Sequence, residues 1–414
     1  MSFDKILYEE IFSMKRNITK LTAISMAFML MLTGCSLGGK KPDASVDAST
    51  ETSTETADAS NEATSDTAAE ASSDQLVILE DLAEPEIDDS ASAEGSIENM
   101  SEADIEKYNV DKELNMVFIG DSQFANGRND GSALANLVQY RVPNSKAYNL
   151  GVGGSTAALE SSTSDYQDYD NWTSSCFLGI CYALEGRVDR NKVCASLPDV
   201  LYTMNQIDPG SVDYYFIEYG ANDFFTKVPL DMWTPGYEDI NPLYTYYGAL
   251  KAGIEVLKSI SPNATIVLIT PFYGIYKAPD GTYLGDTYIT SNGIATLQDY
   301  AKKINNVAEE QGIYCLDTMF RAKCDLYLDT ADQYLMDNVH LSLVGRQIFA
   351  RLIAHIPNSM EGYEPSAYRQ TEDIKIAEFD PNEYYKYPDD YFQRDFPEEY
   401  EKYMNGEYLL AKPE

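Results

Sequence analysis

The chain of 414 residues carries 67 Asp and Glu against 30 Lys and Arg, a formal charge of -37. Charge of that sign and size repels phosphate backbones and anionic head groups, which excludes nucleic acid as a partner and favours a soluble, exposed protein. The 44% of hydrophobic residues is material for the core of one domain, or two at most.

In chain order the leader comes first. Lys15 and Arg16 precede the apolar run "LTAISMAFMLM", which is too short for an ordinary membrane span. It ends in "LTGC", with small residues before Cys35. This resembles the lipobox of bacterial lipoproteins, and the resemblance implies cleavage before Cys35 and lipidation of its thiol. Residues 1–35 are thus predicted to be a lipoprotein signal peptide. Met14 is the expected start, because the residues before it make a long leader. The mature protein is expected outside the cytoplasm, lipid-anchored to the cell membrane. An ordinary secretory signal with an incidental cysteine is the alternative.

Residues 36–105 are Ser, Thr, Ala, Asp and Glu with almost no aromatics, too little apolar surface to order a fold. As a coil this linker reaches roughly 45 Å. A folded domain is expected over 106–360. Its apolar runs "NMVFIG" (115–120), "YYFIEYG" (214–220), "TIVLIT" (265–270) and "GIYCLD" (312–317) read as buried parallel strands, with "AYNL" (147–150) as a fifth. Helices are expected over 131–141, 243–260, 292–311 and 342–355. Strands separated by helices predict βαβ units and a doubly wound α/β sheet. Residues 156–211 read as an insertion, 273–291 as a loop, and 361–414 as an acidic, Tyr-rich tail that either drapes over the domain or extends into solvent.

Beyond Cys35 there are Cys176, Cys181, Cys194, Cys315 and Cys324, an odd number that leaves at least one free. Cys315 reads as a buried apolar thiol. The other four could form one or two bridges in an oxidising compartment, with the pairing open.

Four short motifs follow the expected strands. "FIGDSQFANG" puts Ser122 in the turn after the first strand, and "YNLGVGGST" offers Gly154 in a glycine-rich loop after the second. "YGANDFF" presents Asn222 after the third, and "DNVH" supplies Asp337 and His340 before the last helix. His340 is one of only two histidines in the chain. In an open parallel sheet the loops after the strand C-termini converge on one edge, where ligands bind.

Together these residues resemble the SGNH/GDSL hydrolase family, whose blocks run GDS, glycine, GxND and DxxH. The blocks read here as Gly120-Asp121-Ser122, Gly154, Gly220-Ala221-Asn222-Asp223 and Asp337-Asn338-Val339-His340, intact and in order, over roughly residues 110–358. The resemblance implies a flavodoxin-like three-layer α/β/α sandwich with a parallel sheet, and a carboxylic ester hydrolase using no cofactor and no metal. It implies Ser122 as nucleophile, His340 as general base and acid, and Asp337 as the residue that orients the imidazole. The oxyanion hole would be the backbone N–H groups of Ser122 and Gly154 with the Asn222 side chain.

Each motif alone has an ordinary structural meaning. GDS is commonly a turn followed by helix caps, and "GVGGS" and "GAND" are common turns. Their order and their places after successive strands carry the inference. Dinucleotide binding lacks its glycine spacing, a zinc site lacks ligands, and no GxSxG elbow exists. Asp223 is expected to brace its loop, and His355 to be structural.

The expected substrate is a small acyl ester, an acetyl group on neutral carbohydrate above all. Tyr166, Tyr169, Trp172, Phe177, Tyr182, Trp233 and Tyr237 are candidate rings for stacking on sugars, with packing of the insertion as their other reading. The rival functions are an O-acyltransferase acting on surface glycans through the same residues and a non-catalytic binding lipoprotein.

Overall fold

Apolar side chains on both faces of a strand force it between two layers, and three strands here, over 114–120, 214–218 and 265–269, have that character. The computed structural model describes residues 112–160, 165–320, 323–381 and 389–410. The leader with Cys35 and the linker 36–105 lie outside the described residues. The strands are β1 (Leu114–Gly120), β2 (Ser145–Asn149), β3 (Tyr214–Glu218), β4 (Thr265–Ile269), β5 (Ile275–Lys277), β6 (Tyr283–Asp286) and β7 (Tyr314–Leu316). One five-stranded sheet has the order β2-β1-β3-β4-β7, every pairing parallel. Counted within the sheet this is the flavodoxin-like 2-1-3-4-5 order, in which β1 and β3 flank the point where the winding reverses.

Alternation along the strands assigns the two faces. Val117, Ile119, Tyr215, Ile217, Ile266 and Leu268 join one core with the helices Phe177–Glu185, Tyr246–Ile260 and Leu297–Gln311. Met116, Phe118, Tyr214, Phe216, Val267 and Ile269 join the other with the helices Leu134–Gln139 and Leu343–Met360. The result is the three-layer α/β/α sandwich.

Local signals set the helix ends. Thr245 and Ser342 accept from the N–H groups of Gly248 and Gly345, and Thr296 with Asp299 forms a capping box. The last helix passes through Pro357 to Met360 instead of stopping at 355. Proline removes only its own N–H, while Ile356 and Asn358 continue the buried face and the Asn358 amide donates to the Arg141 carbonyl at 2.9 Å.

Two segments and the cysteines expected to pair differ from their sequence reading. Residues 156–211, read as an insertion outside the sheet scheme, contain the crossover helix between β2 and β3. Its residues Phe177 to Leu184 are all buried, and Phe177 packs over Gly253, where a Cβ would overlap the ring. Residues 273–291, read as a loop, contain the antiparallel hairpin β5–β6. Cys176, Cys181, Cys194, Cys315 and Cys324 are free thiols, and burial pushes Cys176 and Cys324 up to about 12.

The tail returns to the domain. Tyr363 and Ile374 enter the second core, while Tyr368, Phe392 and Tyr403 form a small cluster of their own. It is held by a buried ionic group: His355 Nδ1 lies 2.7 Å from Glu364, its Nε2 contacts Glu372, and Arg351 also pairs with Glu372.

Burial disfavours charge on the His355 imidazole, but Glu364 and Glu372 outweigh it and raise its pKa to about 9. That value lies above the ~6.5 of an unfolded-chain histidine. The stabilisation is therefore complete below about pH 6.5 and lost as the pH rises through the folded value. The urea midpoint of the wild type is expected to fall across that window. His355→Gln, which cannot charge, is expected to lose ~3–5 kcal/mol near neutral pH and to flatten the slope. Equal midpoints at pH 7 for both proteins contradict this account.

Candidate active site

β1 ends at Gly120 and the chain turns at once into the one-turn helix Ser122–Ala125. Asp121 caps it, its buried carboxylate accepting the Gln123 N–H at 2.9 Å. Ser122 thereby stands in the first turn, half-buried, at the sheet edge where the strand C-termini end.

His340 arrives on a tight loop before the helix Leu343–Met360. Leu335 and Leu341 form an antiparallel bridge, and the Met336 N–H donates to the His340 carbonyl at 2.9 Å. Inside this loop one oxygen of Asp337 accepts the backbone N–H groups of Val339 and His340 at 2.8 and 2.7 Å. Its other oxygen lies 2.6 Å from His340 Nδ1, and His340 Nε2 lies 2.8 Å from Ser122 Oγ. Partial burial works to raise Asp337, but the N–H donors and the imidazole outweigh it and hold its carboxyl below the ordinary range. An ionised Asp337 only accepts, so the ring proton belongs on Nδ1 and Nε2 is left to accept the serine hydroxyl.

The asparagine loop meets the same edge. Gly220 has φ 136°, and a Cβ there would approach the Tyr246 hydroxyl at 2.9 Å, so the turn out of β3 requires glycine. Asn222 follows, and its Nδ2 donates to Asp121 Oδ2 and to the Ser155 carbonyl, both at 3.0 Å. One side chain thus ties the serine turn to the glycine loop. Gly154 precedes Ser155 with φ 77° and an exposed backbone. Both Nδ2 hydrogens of Asn222 thus have acceptors.

Asp223 accepts from the N–H groups of Ala157 and Ala158, bracing the glycine loop, and burial raises its carboxyl to about 7. The hairpin base also closes on the site: the Ile275 N–H donates to the Asn338 carbonyl at 3.0 Å, and Phe225 packs edge-on against Tyr276.

The structure therefore joins Ser122, His340 and Asp337 in one hydrogen-bonded line, with Asn222 held beside it on Asp121 and on the glycine loop. Several candidate sugar-stacking rings are corrected. Trp172, Phe177 and Tyr182 are core residues, because the segment that carries them builds the crossover helix and what packs on it. Tyr169 stacks on Trp172, and Tyr166 stands edge-on to Tyr244. Trp233 is 75% exposed and free to meet a ligand.

One residue beneath the site escaped the sequence reading. Glu218, the last residue of β3, is buried beside Gly120 of β1, and its carboxyl meets that of Asp121. Burial, then the Asp121 charge, pushes Glu218 well above the ordinary carboxylate range, while burial raises Asp121 to about 6. Two buried carboxyls in contact disfavour a doubly ionised state, so the pair holds one proton between Glu218 and Asp121. The signal was present: a glutamate inside "YFIEYG" interrupts a run that is apolar on both faces.

The model of the GDSL-like lipase/acylhydrolase family matches residues 118–348. Similar solved structures include a possible lipase from Chitinophaga pinensis, at 18% identity and TM-score 0.39, covering 60% of this chain and 98% of that one. An acetylxylan esterase from Geobacillus stearothermophilus shares 19% identity at TM-score 0.34, covering 61% and 95%. A carbohydrate acetylesterase from Sinorhizobium meliloti shares 13% identity at TM-score 0.36, covering 60% and 99%. No curated protein matches the chain.

The proton held by this pair has a direct spectroscopic consequence. Infrared spectra at neutral pH are expected to show a carboxylic-acid carbonyl component, beside that of Asp223, that is lost in Glu218→Gln, whose amide keeps a donor toward Asp121 and preserves the fold. Identical spectra in that region mean that Glu218 is ionised and the shared-proton account is wrong.

Proposed function

Since the chain belongs to the GDSL-like lipase/acylhydrolase family and is a carboxylic ester hydrolase, we propose that it cleaves small acyl esters through an acyl-enzyme on Ser122. The observation that carries this reading is the unbroken line from Asp337 Oδ2 through the imidazole to Ser122 Oγ, with links of 2.6 and 2.8 Å. A serine hydroxyl is a weak nucleophile until a base takes its proton. In the proposed cycle Ser122 Oγ attacks the acyl carbon as its proton passes to His340 Nε2. Asp337 stabilises the imidazolium that forms. The tetrahedral oxyanion is received by the N–H groups of Ser122 and Gly154 and by the Asn222 amide. His340 then returns the proton to the departing alkoxide. Water, deprotonated by the same ring, releases the acid and restores Ser122.

For substrate we propose acetyl or similarly short acyl groups on neutral carbohydrate. A charge of -37 disfavours phosphate-rich polymers and anionic lipid as partners. Trp233, exposed on the stretch after the asparagine loop, offers an aromatic face of the kind that packs on sugar rings. Placement outside the cytoplasm, anchored through a lipid on Cys35, is part of the same proposal and rests on the leader sequence alone.

Two experiments test this reading. Ser122→Ala is expected to lower turnover of p-nitrophenyl acetate by roughly 10³- to 10⁶-fold while remaining folded. The wild type is expected to prefer acetyl to decanoyl esters and to release acetate from acetylated xylan or chitin oligosaccharides. Full activity in the variant ends the nucleophile assignment, and faster decanoyl hydrolysis with no acetate from any glycan ends the substrate assignment. Acetyl transfer to an added sugar in preference to water assigns the chain as an acyltransferase instead.

For the anchor, Cys35→Ser is expected to move the protein from the membrane fraction to the soluble one without changing its specific activity. Retention of that variant in membranes rules out lipidation at Cys35 as the anchor.

A further inference from the structure

The residue after the nucleophile has no role in the cycle above, yet its side chain is 4% exposed and aimed across the site. Gln123 Nε2 donates to the Val339 carbonyl at 2.7 Å, and Gln123 Oε1 accepts from the Leu341 N–H at 3.3 Å. These two groups flank His340 on either side. The orientation of the amide is fixed by its partners, since a carbonyl only accepts and an N–H only donates.

Backbone accounting shows why this pair of bonds matters. In the loop that carries His340, the N–H groups of Val339 and His340 go to Asp337, the His340 carbonyl accepts from Met336, and the Asn338 carbonyl accepts from Ile275. The Val339 carbonyl and the Leu341 N–H are bound by Gln123. Leu341 is buried, so its N–H would lack a partner if the amide were removed. Ser122 and Gln123 are adjacent on one rigid helical turn. The amide therefore links the backbone on both sides of the base directly to the element that holds the nucleophile.

We propose that Gln123 is a positioning residue that fixes the distance and aim of His340 relative to Ser122. This rests on the assignment of Ser122 and His340 as nucleophile and base. The Asp337 contact sets the ring within its own loop, whereas Gln123 sets the whole loop against the serine turn. Without it the loop keeps its internal bonds but is free to slide over the serine, and a misplacement of about 1 Å costs up to ~10²-fold in rate.

The test uses Gln123→Met, which keeps the length and removes both polar atoms, and Gln123→Leu as a second apolar variant. Rates are normalised to the folded fraction. For p-nitrophenyl acetate kcat is expected to fall about 10- to 10²-fold with KM nearly unchanged. Labelling of Ser122 by a sulfonyl fluoride is expected to slow in parallel, because that reaction reads activation of the hydroxyl. A lower melting temperature with unchanged kcat per folded molecule makes Gln123 merely structural and overturns the proposal, as does a rise in KM alone. If neither variant folds, hydrogen exchange in the wild type decides: the Leu341 amide is expected to be protected, and rapid exchange there overturns the proposal. Ser122→Ala is measured alongside. Activity surviving in that variant removes the nucleophile assignment itself, whereas an inactive Ser122→Ala beside a fully active Gln123→Met removes the positioning role alone.

Discussion

A hydroxyl and an imidazole 218 positions apart in the chain must meet at 2.8 Å, and the rest of the architecture can be understood from that contact. Parallel strands solve the problem because all their C-terminal ends lie along one edge. Ser122 follows β1, Asn222 follows its neighbour β3 at the centre of the sheet, and the glycine loop follows β2 on the other side. The site thus occupies the position where the winding of the sheet reverses, and the two crossovers leave β1 and β3 in opposite directions. His340 comes from beyond the last strand, on a loop whose next residues cap the longest of the described helices. That helix packs beside Leu134–Gln139, on the face of the sheet opposite the helices Phe177–Glu185, Tyr246–Ile260 and Leu297–Gln311, so the His340 loop is anchored by a different layer from the Asn222 loop.

The features legible in the sequence were those fixed by local chemistry. Runs such as "NMVFIG" and "TIVLIT" are apolar on both faces, which only a strand covered on both sides tolerates, and each became a strand of the parallel sheet. The carboxylate three residues before His340 was readable for the same reason: a short loop brings that spacing to a single ring. Less legible was anything decided by packing at a distance. "FLGICYALE" is apolar all round, a pattern that fits a buried helix as well as it fits an insertion, and only its burial against Gly253 shows it to be the crossover. The rings of Trp172 and Tyr182 went the same way, from candidate sugar platforms to core. β5 and β6 are three and four residues long and owe their pairing to the neighbouring loops, so no periodicity announces them.

Gln123 illustrates a different limit. Nothing in its identity marks it, because its partners are two backbone groups more than two hundred residues away. A sequence reading assigns roles to side chains that recur in known chemistry. It passes over an amide whose function is to satisfy the carbonyl and N–H left over by another loop. Such a residue is visible only when every backbone polar group near the base is accounted for.

Four carboxyl groups surround the site, and their environments divide them. Asp337 is the most exposed, receives two backbone N–H donors, and is held below the ordinary range. Asp121, Glu218 and Asp223 are fully buried, and burial pushes each toward its neutral form. The arrangement concentrates negative charge on the Nδ1 side of the imidazole, where the proposed cycle would develop positive charge. It restrains negative charge under Asn222, where the proposed oxyanion would be repelled. A carboxylate below the serine turn without the Glu218 proton would also grip the Asn222 amide harder and oppose its release to the oxyanion. In the proposed cycle the proton held between Glu218 and Asp121 would therefore weaken the competitor for the amide that the tetrahedral intermediate needs, while the ionised Asp337 would stabilise the imidazolium.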